Sequence, residues 1–141
     1  MNVYAESSAV LSWLLGEPSS ERVRNILEEA DIVYTSDLTL VECDRTLLRY
    51  EQEQRLPEVV IAERSAALEE LRRDCSVLRL GDEVIARARR RFPDEPVRSL
   101  DALHLASALV ASRASADVAM LTLDDRIRRV STGLGFEVLP N

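Results

Sequence analysis

The chain has 141 residues, a formal net charge of −7 and two cysteines. This length predicts one domain, residues 1–141, that can bury a sizeable core. The negative charge argues against strong non-specific binding to nucleic acid. All 18 cationic side chains are arginine, which excludes a P-loop lysine and Schiff-base chemistry. No apolar stretch is as long as a membrane span. Cys43 and Cys75 form no CxxC motif, so we expect reduced thiols in a cytoplasmic protein.

Strand-favouring segments alternate with helical patterns along the chain. The predicted strands are residues 3–5, 31–36, 76–80, 118–123 and 136–140. The predicted helices are residues 7–15, 20–30, 38–50, 57–74, 81–92, 100–112 and 124–133. Ser7 or Ser8 is expected to cap the first helix, which Gly16 ends, and Ser99 is expected to cap the sixth.

This alternation predicts the architecture. Parallel strands need crossover connections, and helical crossovers cover both faces of the sheet. We therefore predict an α/β fold with a largely parallel sheet. Ligands of such folds bind beyond the carboxyl ends of the strands, so side chains that directly follow a strand are the first functional candidates.

Acidic side chains occupy several of these positions. Glu6 follows the first strand, Asp124 and Asp125 follow the fourth, and Asp101 lies in the first turn of an almost wholly apolar helix. Clustered carboxylates repel one another unless a cation neutralises them, and Mg²⁺ and Mn²⁺ prefer oxygen ligands. The joint pattern indicates a metal site. Taken singly, Asp124 can be a helix cap, and the negative charge of Asp101 can stabilise its helix through the helix dipole.

Periodicity does not select Glu42. The apolar arc predicted for its helix consists of Leu40, Val41, Leu47 and Leu48. Glu42 falls opposite this arc, near Arg45 and Arg49, where a weak surface ion pair is the simplest interpretation. Asp44 falls within the arc.

Two further side chains have open interpretations. His104 follows Asp101 by about one turn and either pairs with it or packs in the core. Trp13 lies on an apolar helix face and belongs either to the core or to a dimer interface.

Four segments, in this order, resemble PIN-domain ribonucleases: "NVYAESSAVLSWLLGE", "TSDLTLVECDRTLLR", "SLDALHLASALV" and "LTLDDRI". More narrowly, they resemble the VapC-type toxins of bacterial toxin–antitoxin pairs, and the similarity covers nearly the whole chain. The resemblance implies a three-layer α/β/α domain with a mainly parallel five-stranded sheet. It also implies an acidic Mg²⁺ site, with Mn²⁺ as the alternative, that hydrolyses RNA phosphodiester bonds.

The resemblance also implies site residues and partners. The catalytic acids carried over by position are Glu6, Glu42, Asp101 and Asp124. Of these, Glu6, Asp101 and Asp124 would be metal ligands, and Glu42 is included against the helical wheel. Ser7 and Thr122 would orient these carboxylates and the bound waters through their hydroxyl groups. Glu6 departs from the family, which usually has Asp there. The implied partners are an RNA substrate, a cognate antitoxin and a second copy of the chain.

Arginines are the candidates for contacts to RNA phosphates. Arg126 and Arg128, together with Arg129, lie in "DDRIRR", close to the predicted site. The cluster "ARARRRF", residues 86–92, is equally well explained as a solvated helix face. Two rival functions remain: a binding or regulatory module with weakened catalysis, motivated by Glu6, and a stand-alone nucleic-acid-processing nuclease.

Overall fold

The computed structural model describes residues 1–141 and contains one five-stranded sheet. Its strands are β1 (Asn2–Ala5), β2 (Ile32–Ser36), β3 (Ser76–Leu78), β4 (Val118–Leu121) and β5 (Val138–Leu139). They are ordered β3-β2-β1-β4-β5, and every neighbouring pair is parallel. The predicted five-stranded parallel sheet is therefore confirmed.

Seven helices connect the strands. They are α1 (Ser7–Leu15), α2 (Ser20–Glu29), α3 (Asp37–Gln52), α4 (Glu58–Asp74), α5 (Asp82–Ala88), α6 (Ser99–Ala114) and α7 (Asp125–Gly133). No helix is both long enough and apolar enough to span a membrane.

The core lies in two layers, one on each face of the sheet. Strand β1 shows the division, because successive side chains of a strand point to opposite faces. Val3 and Ala5 pack in the cluster that contains Val10 of α1. Tyr4 packs in the other cluster, which contains Leu105 of α6. Helices on both faces give the predicted α/β/α arrangement.

Two predicted helix caps and one predicted helix end are wrong. Helix α1 is capped by the Glu6 carboxylate, which accepts a hydrogen bond from Ser8 N, and not by Ser7 or Ser8. Helix α6 starts at Ser99 after an Arg98 cap that makes no side-chain capping bond. Helix α5 ends at Ala88 rather than at residue 92. Residues 89–98 form a loop, in which the Glu95 carboxylate accepts a hydrogen bond from the backbone N–H of Phe92 at 3.0 Å.

The helical wheel of α3 was also wrong. Val41 is 57% exposed, whereas Cys43 and Leu47 are buried. Asp44, which fell within the predicted arc, is exposed. The buried stripe of α3 is therefore rotated away from the predicted one. This rotation brings the opposite edge of the helix, with Glu42, towards the end of the sheet.

Trp13 is half-buried on α1. It packs against the core cluster of that face and leaves part of its ring at the surface. Both cysteines are free thiols.

Candidate active site

The candidate site lies beyond the carboxyl ends of β1, β2 and β4, as the parallel sheet predicts. Glu6 directly follows β1, and its backbone N–H donates to Leu121 O at 3.0 Å. Thr122 directly follows β4, and Ser36 is the last residue of β2. The side chains of all three are buried at this edge.

Glu6 is almost entirely buried, with 5% of its surface exposed. Its Oε2 accepts hydrogen bonds from Ser8 N at 3.1 Å and Thr122 Oγ1 at 2.7 Å, and also from the Ser8 hydroxyl. Its Oε1 lies 3.1 Å from Ser7 Oγ. Glu6 is therefore a helix cap and a member of the acidic site at the same time, because the cap of α1 lies at the end of β1.

Thr122 joins Glu6 to Asp124. Its hydroxyl donates to Glu6 and accepts from Asp124 N at 3.1 Å. Asp124 in turn caps α7, since its Oδ1 accepts from the backbone N–H groups of Arg126 at 2.8 Å and Ile127 at 3.1 Å. The local geometry of α7 thus fixes one oxygen of Asp124 and leaves Oδ2 without a protein donor.

Asp101 has no hydrogen-bond or ion-pair partner, although it is only partly exposed. Burial, followed by the negative charges of Asp124 and Glu6, raises the pKa of its carboxyl group above the usual value. The positive charge of Arg126 offsets this only in part. The structure therefore places Asp101, Asp124 and Glu6 in one electrostatic neighbourhood.

Glu42 lies in a hydrogen-bonded network with His104. Glu42 Oε1 is 2.5 Å from His104 Nε2 and 2.7 Å from Ser7 Oγ. On the other side of the imidazole, Nδ1 lies 3.0 Å from the Tyr4 hydroxyl, which is 2.9 Å from Ser36 Oγ. Because Nε2 faces a carboxylate oxygen, it must carry a proton. The surface ion pair predicted for Glu42 is therefore wrong. Of the two interpretations of His104, packing in the core is confirmed, since 1% of its surface is exposed, and pairing with Asp101 is not.

The network shifts the ionisation of Glu42 in the direction opposite to that of Asp101. Partial burial disfavours the anion, but the hydrogen bonds from His104 and Ser7 and the charge of His104 outweigh it and lower the pKa of Glu42. The Ser7 hydroxyl lies between Glu42 and Glu6 and donates its single proton to one or the other.

The sequence did not predict the complete network. The sequence pattern predicted only that Tyr4 is a buried strand residue. No spacing relates it to His104, which lies 100 positions later. The available signal was the alternation of β1, which puts Tyr4 on the α6 face of the sheet, opposite Val3 and Ala5.

The chemistry of these acids suits a hard divalent cation, since every donor is an oxygen. Asp101 is unpartnered, and its raised pKa reflects like charges that a cation would neutralise. The side chains are not, however, already arranged as ligands: no three His, Cys, Asp or Glu side chains are grouped as a metal site. Glu6 and Asp124 are turned towards their capping bonds instead.

The two arginines predicted to contact RNA have different surroundings. Arg128 donates to the backbone oxygens of Thr122 at 2.9 Å and Pro140 at 3.0 Å, so its guanidinium ties the ends of β4 and β5 together. Arg126 is exposed and lines a cleft of about 350 Å³ that also contains Asp101. The cleft is lined by Pro96, Val97, Arg98, Asp101, Leu105, Arg126, Arg129 and Val130.

This fold is that of the PIN domain, and the chain belongs to the PIN domain family, whose model matches residues 3–133. Among curated proteins it is similar to Ribonuclease VapC46 of Mycobacterium tuberculosis, with 32% identity over 97% of this chain and 95% of that protein. It is 29% identical to Ribonuclease VapC35 of the same species over 97% of this chain and 95% of that protein.

Solved structures agree with this fold. The VapBC2 complex of Rickettsia felis, bound to a fragment of its promoter DNA, matches with a TM-score of 0.65 at 9% identity over 98% of this chain and 97% of that one. M. tuberculosis VapC20, described as a toxin that cleaves the sarcin–ricin loop, matches with a TM-score of 0.64 at 15% identity over 95% of both chains.

Proposed function

We propose that the protein is a metal-dependent endoribonuclease that acts as the toxin of a type II toxin–antitoxin pair. The observation that carries this proposal is Asp101, an unpartnered carboxylate whose pKa is raised by burial and by two neighbouring acids at the carboxyl edge of a PIN-domain sheet. Carboxylates held together in this way are a functional arrangement rather than a stabilising one.

Each acid has a distinct role in this proposal. Asp101, Asp124 and Glu6 would hold Mg²⁺, or Mn²⁺ in its place, and the bound ion would supply an activated water and offset charge on the phosphate. Glu42 would orient the attacking water or an outer ligand. Its carboxylate is suited to this because the bond to His104 Nε2 fixes its position. Ser7 and Thr122 hold the acids in place through their hydroxyl groups.

Cleavage by purified protein tests the proposal. Wild type should cleave RNA with Mg²⁺ or Mn²⁺ and stop when EDTA is added. Asp101→Asn removes the charge at nearly constant volume and should abolish cleavage, whereas Asp125→Asn, a matched change at an exposed neighbour of the site, should not. Equal cleavage by wild type and Asp101→Asn would reject Asp101 as a catalytic residue.

An antitoxin and a second copy of the chain are the proposed protein partners. Consistent with a protein ligand, Trp13 and Leu27 line a groove of about 400 Å³ whose lining also includes the acidic side chains Glu28, Glu70 and Asp74. Such a groove favours an apolar segment flanked by basic residues. Co-expression with the adjacent gene should restore growth and yield a complex, and failure to co-purify would favour a stand-alone nuclease. We also propose that the protein acts in the cytoplasm, where thiols such as Cys43 and Cys75 stay reduced. Residues 1–141 would form the single domain that carries this function.

The structure gives one observation in favour of a module with weakened catalysis. Glu6, which stands where the family usually has Asp, is already satisfied by hydrogen bonds from three residues. A protein that is stabilised by Mn²⁺ but cleaves no RNA, while still binding its antitoxin, would support this alternative.

A further inference from the structure

A cationic cleft adjoins the acidic site. Arg98 approaches it from the start of α6, and Arg126 and Arg129 approach it from α7. None of the three guanidinium groups forms an ion pair with a carboxylate, although acidic residues outnumber basic ones by 25 to 18 in the chain. Because the protein as a whole repels polyanions, a local group of free arginines is where a phosphate backbone would be attracted.

These arginines are not explained by helix stability. Arg98 is the N-cap of α6, and Arg126 lies in the first turn of α7. A cation near a helix N-terminus opposes the helix dipole, which favours negative groups there. Arg126 also partly offsets the charge of Asp101. Helix stability therefore does not account for Arg98 or Arg126.

The walls of the cleft are fixed by the protein itself. Glu95 accepts hydrogen bonds from Phe92 N at 3.0 Å and Val97 N at 2.8 Å, which holds the loop before Arg98 in one conformation. Leu105 and Val130 are buried, and they anchor α6 and α7 beside it. The guanidinium groups remain exposed on this backbone. The cleft thus combines a hydrogen-bonded loop with exposed guanidinium groups that form no ion pair.

We propose that this cleft is the subsite for the RNA phosphate next to the scissile one, with Arg98 and Arg129 contacting its oxygens from two walls. Pro96 and Val97, the accessible apolar residues of the lining, would accept the attached ribose or base. This proposal rests on the ribonuclease function, because a strand whose scissile phosphate reaches Asp101 brings a neighbouring phosphate to this cleft. Guanidinium groups bind phosphate oxygens in pairs, which makes arginine suited to the task.

Binding and cleavage together test the subsite. The full-length protein is titrated, in EDTA, into a fluorescein-labelled single-stranded RNA 12-mer of random sequence at several salt concentrations. Arg98→Gln and Arg129→Gln should each weaken binding several-fold. The slope of log Kd against log salt should fall by about 0.7 for each phosphate that a variant no longer neutralises. Arg73→Gln, at an exposed arginine on α4 without an ion pair, is the matched control and should bind like wild type.

The same variants separate this proposal from the ribonuclease function. With Mg²⁺, Arg98→Gln and Arg129→Gln should raise KM and leave kcat nearly unchanged. Cleft-dependent binding by a wild type that cleaves no RNA would keep the cleft as an RNA-phosphate site and reject the ribonuclease. Active enzyme with unchanged binding and kcat/KM in both variants would overturn the subsite and keep the ribonuclease. Loss of affinity for a polyglutamate peptide but not for RNA would assign the cleft to an acidic peptide and overturn the proposal.

Discussion

Replacing Asp101 by asparagine should make the metal-free protein more stable. Burial and the charges of Asp124 and Glu6 raise the pKa of the Asp101 carboxyl group in the folded state. A carboxyl group with a raised pKa stabilises the fold while it is protonated, and this contribution is lost as the pH rises through the folded-state pKa. At neutral pH wild type therefore carries an unfavourable charge that Asp101→Asn lacks.

The expected gain is moderate. Asp101 is partly exposed, so solvent screens its repulsion, and removing one unfavourable surface charge commonly stabilises a protein by about 0.5–2 kcal/mol. For a chain of this length that corresponds to a rise in Tm of roughly 2–6 °C. The difference between the two proteins should vanish as the pH falls below the unfolded-state value near 3.8, where both forms are neutral.

Metal should reverse this order. A cation that binds only the folded state stabilises it by about 2.7 kcal/mol at a concentration one hundred times Kd. Wild type should gain this stabilisation in Mn²⁺, whereas Asp101→Asn should gain little, so the two melting temperatures should cross. Thermal melts in EDTA from about pH 3 to 8, and in millimolar Mn²⁺ at pH 7, provide the measurement. A less stable Asp101→Asn protein in EDTA at pH 7 would refute the electrostatic argument, and parallel responses to Mn²⁺ would refute the ligand assignment.

Three other side chains make further predictions. His104→Gln keeps an amide donor near the position of Nε2 and should retain much of the cleavage rate, whereas His104→Asn loses that donor and should reduce kcat more than it changes KM. Arg128→Gln should cost about 1 kcal/mol in urea unfolding, because it frees backbone oxygens at the sheet end, and should leave RNA affinity unchanged. Glu6→Gln should lower unfolding free energy by about 1–3 kcal/mol and abolish cleavage, since the amide oxygen that replaces Oε2 accepts from Ser8 and Thr122 without the negative charge that strengthens these bonds. Equal kcat for both His104 variants, weaker RNA binding by Arg128→Gln, or unchanged stability of Glu6→Gln would contradict these expectations.

The sheet was predictable because its signals are local. Short β-branched and apolar segments such as β2 alternate with helices, and this alternation alone requires parallel crossovers. The positions of Glu6 and Asp124 followed from the same logic, since each directly follows a strand. The helical pattern of residues 81–92 did not predict where that helix ends. Helix α5 ends at Ala88, and the segment that follows is a loop in which Glu95 accepts a hydrogen bond from Phe92 N.

The Glu42 network could not be predicted from periodicity. The wheel of α3 assumed that every apolar side chain is buried, but Val41 is exposed. The rotation that exposes Val41 also turns Glu42 towards His104, and only the packed structure fixes that rotation. The partner of Glu42 lies on another helix, 62 positions later, so the contact has no sequence period. The family resemblance supplied Glu42 without supplying this reason.

The acidic side chains of the site differ in their hydrogen bonding: Glu6, Glu42 and Asp124 accept bonds from protein donors, and Asp101 accepts none. Although burial opposes ionisation, hydrogen bonds from His104 and Ser7 lower the pKa of Glu42, and Tyr4 contacts the other ring nitrogen of His104. Asp101 lacks any such partner, and its pKa rises because its neighbours are also acids. Shifts in opposite directions within one site indicate different tasks. This asymmetry favours a cation beside Asp101 and Asp124 and a positioning role for Glu42. Glu6 is joined to Asp124 through Thr122 and to Glu42 through Ser7.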